Sequence, residues 1–91
     1  MTYFVNLKRS AEKELERLPA RIHDKVIERL TSLKENPRPD GAKKLRRREG
    51  YTIRIGNYRV LYAINDLEKK VEVFSIAHRK EVYRQISRRH R

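Results

Sequence analysis

Apolar positions along the chain follow two periods. Residues 2–7 (TYFVNL) alternate Tyr3, Val5 and Leu7 with Thr2, Phe4 and Asn6, which predicts a short strand, apolar on both faces. A helical period follows. Ala11, Leu15, Leu18, Ile22, Val26, Leu30 and Leu33 recur every three or four residues and form one apolar stripe. They predict a helix over about 11–17, with Ser10 as N-cap, and a second over about 20–35, with Pro19 in its first turn. Asn36-Pro37 ends the pattern, and Asn36–Gly41 (NPRPDG) is a turn-rich loop. Strands are predicted over about 43–47, 51–55, 58–64 and 71–77, with turns at Gly56-Asn57 and Asn65-Asp66. From about Lys80 the pattern is helical again and ends in a basic RRHR tail. No repeat or linker divides the chain, so residues 1–91 are expected to form one α+β domain. A small antiparallel-rich sheet packs on two N-terminal helices, with a short C-terminal helix.

The hairpin turn fixes a register. If Gly56-Asn57 is the loop, Ile55 pairs with Tyr58, Ile53 with Val60 and Tyr51 with Tyr62, all six on the core face. Arg54 then stands directly opposite Arg59 on the other face. Like charges so placed repel each other, and an anion between them relieves the repulsion. The ordinary alternative is a solvated strand face whose arginine stems cover apolar surface. Against it, the same face is expected to carry Leu61 and Ala63 and, across a tight second hairpin, Phe74, Ile76 and His78.

Charge extends this picture. The chain holds 24 Lys and Arg against 12 Asp and Glu, a formal net charge of +12 in 91 residues. Such self-repulsion implies an anionic partner: nucleic acid, an anionic membrane or an acidic protein. Five bases lie within Lys43–Arg48 (Lys43, Lys44, Arg46, Arg47, Arg48), anchored by Leu45. A solvated edge strand defended by charge is compatible with phosphate binding there. In His78-Arg79-Lys80-Glu81-Val82-Tyr83-Arg84, a helix start would set Arg79 and Tyr83 on one face and add a positive dipole end. Lys80 and Arg84 supply further charge. The helix acids Glu12, Glu14, Glu16 and Glu28 interleave with bases and read as surface ion pairs.

Other classes find little support. There is no cysteine, no phosphate-binding glycine loop, no HExxH and no GxSxG, so neither a metal nor a cofactor is expected. The opening MTYFVNLKRS lacks the apolar core of a signal peptide, and the longest apolar run, Val60–Ile64, is far short of a membrane span. A cytoplasmic protein without membrane contact is expected.

The segments YFVNLKRSAEKELERLP, KKLRR, YTIRIGNYRVLYAI and VFSIAHRKEVYR, in this order, resemble the RelE branch of the RelE/ParE toxin superfamily over nearly the whole chain. The resemblance implies a RelE-like fold and the toxin of a type II toxin–antitoxin system. Such a toxin enters the ribosomal A site, docks on ribosomal RNA and cleaves mRNA there, as a metal-independent endoribonuclease using the ribose 2′-OH as nucleophile. It also implies an acidic, RelB-like antitoxin that wraps the toxin. Family catalytic positions fall on Arg54, Arg59, Arg79 and Tyr83, and the basic strand before the hairpin on Lys44 and Arg46. Thr52 stands where some members carry a second lysine. The segment before Tyr83 is shorter than in some members, which leaves the last arginine role open between His78 and Arg79.

Cleavage needs a proton acceptor for the 2′-OH, charge stabilisation at phosphorus and a proton for the leaving oxygen. Arginine keeps its proton, so Arg54, Arg59 and Arg79 suit charge stabilisation. Surrounding arginines favour neutral histidine, which makes His78 the candidate base. Tyr83 is assigned stacking or proton transfer. Two rival functions share these bases: a ParE-like inhibitor of DNA gyrase, and a non-catalytic RNA-binding protein. For the latter, an exposed aromatic platform is not evident, because most of the aromatics fall on predicted core faces.

Overall fold

The computed structural model describes residues 2–80. Strand β1 (Phe4–Leu7) opens the chain and is followed by helices α1 (Arg9–Glu16) and α2 (Ala20–Leu33). Four strands follow: β2 (Lys43–Lys44), β3 (Tyr51–Ile55), β4 (Tyr58–Asn65) and β5 (Lys70–His78). They form one sheet in the order β1-β5-β4-β3-β2, with β1 parallel to β5 and every other pair antiparallel. The helix expected beyond Lys80, with Tyr83 and Arg84, lies outside the described residues; Arg79 and Lys80 are helical.

The apolar stripe holds at every position. Ala11, Val26, Leu30 and Leu33 are buried, and Leu15, Leu18 and Ile22 pack against them. The helix ends differ from expectation. Helix α1 begins before Ser10, with extended Lys8 as N-cap and no side-chain capping bond. Pro19 is the N-cap of α2, where its carbonyl accepts the His23 N–H at 2.9 Å and its missing N–H goes unneeded. Strand β1 is apolar toward the core on one face only: Val5 and Leu7 join it, as does Tyr3 just before the strand, whereas Phe4 is 65% exposed.

The β3–β4 hairpin has the expected register, including Arg54 opposite Arg59. Ile53, Ile55, Val60 and Tyr62 are buried in the core and Tyr51 packs against it. Strand β2 stops after Lys44, short of the expected 43–47, because the Leu45 N–H turns to the Gly50 carbonyl at 2.9 Å and closes a loop over Arg46–Glu49. Gly50 has φ +139, and a Cβ there would stand 2.6 Å from the Tyr62 carbonyl oxygen, so the chain can turn here only with glycine.

The β4–β5 register shifts between Leu61 and Tyr62. Leu61 pairs with Ser75 but Tyr62 with Val73, which leaves Phe74 as an extra residue. A bulge reverses the side-chain alternation beyond it. Val73 and Ile76, three apart, therefore both enter the helix-side core. The expected placement of Ile76 and His78 beside Arg54 and Arg59 is corrected for this reason. The opposite face instead holds a small apolar cluster, with Leu61 and Ala77 buried and Leu45 and Phe74 packed on them.

A polar clip closes the far end of the sheet. The Arg38 guanidinium donates to both Asp66 carboxylate oxygens (3.2 and 2.9 Å) and from Nε to the Tyr51 hydroxyl (3.0 Å). The Tyr3 hydroxyl also donates to Asp66, at 2.6 Å. These bonds, Arg38's foremost, hold the Asp66 carboxyl at about 2. The Tyr62 hydroxyl donates to the Pro37 carbonyl at 2.7 Å and ties the same loop to β4, and burial pushes its pKa up to about 12.

Candidate nucleic-acid interface

The face of the sheet away from the helices carries the candidate site. Its central row runs Arg54, Arg59, Ala77 across β3, β4 and β5. Arg54 is exposed and Arg59 half-buried. Arg54 Nε donates to the Gly56 carbonyl at 3.0 Å, which turns that guanidinium toward the hairpin tip. Among the described residues, the carboxylate ion pairs within 4.0 Å involve His23, Arg38 and Lys70, and neither of these two arginines. Two cationic residues thus stand opposite each other in register with no carboxylate partner among the described residues, an arrangement that accepts an anion such as a phosphate.

Position 79 follows the end of β5 at the hairpin tip. The Arg79 N–H donates to the Asn57 carbonyl at 2.8 Å and extends the β4–β5 ladder to the hairpin tip. Arg79 is helical, so strand alternation ends at His78, with Ala77 on the side of Arg59. His78 falls on the other side, opposite Tyr58, whose ring it meets edge-on at 5.4 Å between centroids. Its Nδ1 accepts the Lys80 N–H at 3.4 Å. A neutral ring accepting at Nδ1 carries its proton on Nε2, where it is a donor. His78 is therefore aimed away from the arginine pair, and its acceptor nitrogen is turned to its own backbone.

The other sequence-predicted bases divide into two groups. Lys43 and Lys44 sit on the exposed edge strand β2, paired with Thr52 and Tyr51. Arg46, Arg47 and Arg48 occupy the loop that Gly50 closes, anchored by Leu45 as expected. The Arg48 guanidinium lies 3.8 Å over the Phe74 ring. Lys80 is exposed beside His78. Tyr83 and Arg84 lie outside the described residues.

Two features escaped the sequence. Glu14, expected in a surface ion pair, is half-buried, and its Oε1 accepts the Ile76 N–H at 2.9 Å. Thr52 and Ser75, on the arginine face, hold buried hydroxyls with no hydrogen-bond partner among the described residues. The adjacent apolar pair Val73-Phe74, where strict alternation breaks, is the signal for the second; Glu14 carries no local signal, because its partner is a distant backbone N–H.

Residues 5–83 match the family described as ParE toxin of type II toxin–antitoxin system, parDE. The chain is 37% identical over 84 residues to the toxin RelE of Mycobacterium tuberculosis, covering 90% of this chain and 87% of that one. It resembles a mutant of Escherichia coli toxin RelE in the free state, with a TM-score of 0.77, 29% identity and 98% of each chain covered. It also resembles a chain of a RelBE toxin–antitoxin complex from M. tuberculosis, with a TM-score of 0.76 and 32% identity, covering 86% of this chain and 99% of that one.

Proposed function

We infer that this chain, which belongs to the RelE branch of the RelE/ParE toxin superfamily, acts as a type II toxin that halts translation by cutting mRNA in the ribosomal A site. The observation that carries this reading is the Arg54–Arg59 pair, set in register on the open face of the sheet with no counterion among the described residues. A phosphodiester passing through a dianionic transition state needs such a pair.

In the proposed reaction the 2′-oxygen attacks the adjacent phosphorus, the bond from phosphorus to the 5′-oxygen breaks, and a 2′,3′-cyclic phosphate and a 5′-hydroxyl result. Arg54 and Arg59 neutralise the non-bridging oxygens, and Arg79 takes the remaining arginine role at the hairpin tip. Tyr83 takes the stacking or proton-transfer role that family resemblance assigns to it. His78, turned toward Tyr58, supports the end of the hairpin. Lys43, Lys44, Arg46, Arg47, Arg48, Lys80 and Arg84 hold the RNA backbone by charge. The proton lost by the 2′-OH is balanced by the one gained at the leaving 5′-oxygen, with Tyr83 as the group assigned to that transfer, and arginine and lysine supply the charge stabilisation without a metal ion.

The partner in the resting state is an acidic, RelB-like antitoxin, in keeping with a net charge of +12 and with the RelBE complexes that this fold resembles. No helix among the described residues is long and apolar enough to cross a membrane. The site of action is the ribosome, hence the cytoplasm. A second reading, inhibition of DNA gyrase, draws on the ParE description of the matched family. Reaction products separate the two. mRNA fragments with cyclic phosphate ends on programmed ribosomes support the nuclease, whereas loss of supercoiling without fragments supports the gyrase inhibitor.

A further inference from the structure

We propose that Phe74 is a stacking seat for one nucleobase of the bound RNA, covered by Arg48 in the free protein, with the Thr52 and Ser75 hydroxyls pairing with the edge of that base. The proposal rests on the RNA reading above and adds to it a base-contacting site. The β5 bulge sends Phe74 to the arginine face, where it packs half-exposed on Leu61 and Ala77, the latter paired with Arg59. Its free face is covered by a flat cation, the Arg48 guanidinium at 3.8 Å from the ring centroid. Guanidinium and nucleobase are both planar groups that stack on an aromatic ring, so either can fill this position. Arg48 sits in a loop anchored by Leu45 and by the Leu45 N–H to Gly50 carbonyl bond, so its side chain can leave the ring without disturbing the sheet. The displaced guanidinium is then free to meet a phosphate.

The hydroxyls supply the second, independent observation. Thr52, Leu61 and Ser75 form one row across β3, β4 and β5, next to the Arg54–Arg59–Ala77 row. The rows lie two strand residues apart, about 6.6–6.8 Å, within the reach of one nucleotide. Ser75 adjoins Phe74 and is only 5% exposed. Its hydroxyl and that of Thr52 are buried without a partner among the described residues. Buried hydroxyls are normally paired with protein or ordered water, and a bound base edge can take that place. An apolar side chain from a protein partner would leave them unpaired, whereas the edge of a base presents donors and acceptors. This favours RNA over protein as occupant.

The test uses short single-stranded RNAs carrying 2-aminopurine at successive positions, whose fluorescence falls when the base stacks. The full-length protein should quench one position selectively. Phe74→Leu, shown to be folded by its melting curve, should abolish that quenching and weaken binding by roughly 5- to 150-fold, the range for one base–aromatic stack. Ser75→Ala gives a readout that a merely structural hydroxyl would not. Loss of an unpaired buried group should raise the melting temperature, while base preference at the quenched position relaxes. Unchanged quenching in folded Phe74→Leu, or unchanged base preference in Ser75→Ala, overturns the seat. So does a Phe74→Leu defect confined to antitoxin binding. Failure of the seat is distinct from failure of the nuclease reading. Phe74-dependent quenching by a protein that cuts no mRNA leaves the seat standing alone. Cleavage whose position preference ignores both variants leaves the nuclease standing alone.

Discussion

The carboxylate of Glu14 accepts the backbone N–H of Ile76 at 2.9 Å, joining residues 62 positions apart. The need for this bond lies in the length of β1, whose pairing with β5 ends at Leu7 and Val73. Beyond that point β5 has no strand on its outer side, and α1 supplies the missing acceptor. The bond sits next to the bulge that places His78 opposite Tyr58. Glu14→Ala should lower stability by about 1–3 kcal/mol through the unmet N–H, measured by urea denaturation. Glu14→Gln keeps an acceptor and should recover much of the loss. Equal losses in the two variants would contradict the account.

The placement of His78 yields a comparison within the site. His78→Ala should keep cleavage within about tenfold of wild type, because a general base is worth on the order of 10²–10⁴ in rate and this ring faces Tyr58. Single-turnover rates on programmed ribosomes measure it. A loss of a thousandfold would return His78 to the role of base.

Gly50 is where a small change should be severe. In Gly50→Ala the new methyl meets the Tyr62 carbonyl at 2.6 Å with φ at +139, so a loss of roughly 2 kcal/mol or more is expected. Thermal unfolding checks it. A melting temperature within a degree of wild type would show that the loop takes another path.

Acid should weaken the polar clip at the far end of the sheet. Asp66 is held at about 2, below its ordinary 3.8, chiefly by its bonds from Arg38 and Tyr3. A depressed carboxyl contributes stability that is fully present above its unfolded value and is lost as pH falls through the folded one. The wild type should therefore lose this contribution between about pH 4 and 2, and Asp66→Asn should lack that part of the pH dependence. Unfolding curves across this range decide it, and identical pH profiles for the two proteins would refute the assignment.

Much of the fold was legible because two local signals were strong. The turn at Gly56-Asn57, flanked by alternating apolar residues, fixed the register down to Arg54 and Arg59. The three-and-four spacing from Ala11 to Leu33 identified the whole helix-side stripe. Legibility ended where one residue changes parity. The bulge at Phe74 reversed the faces of Ile76 and His78, and alternation counted from a tight turn cannot register an inserted residue. The run Lys43–Arg48 has the composition of an edge strand, but Gly50 draws the chain into a loop after Lys44. Glu14 looked like a solvated acid because its partner is a backbone N–H exposed by the early end of a distant strand. Ser10 has good capping chemistry, but α1 starts one residue before it, at Arg9, with Lys8 as N-cap.

The central claim is that the paired arginines stabilise a phosphodiester under attack on the ribosome. The most direct measurement maps mRNA 5′ ends on programmed ribosomes for wild type and Arg59→Ala, alongside ribosome binding by each. The expected result is cleavage within the A-site codon by wild type, a fall of roughly 10²–10³ in rate for Arg59→Ala, and ribosome binding largely retained. Cleavage by Arg59→Ala at the wild-type rate would contradict the account.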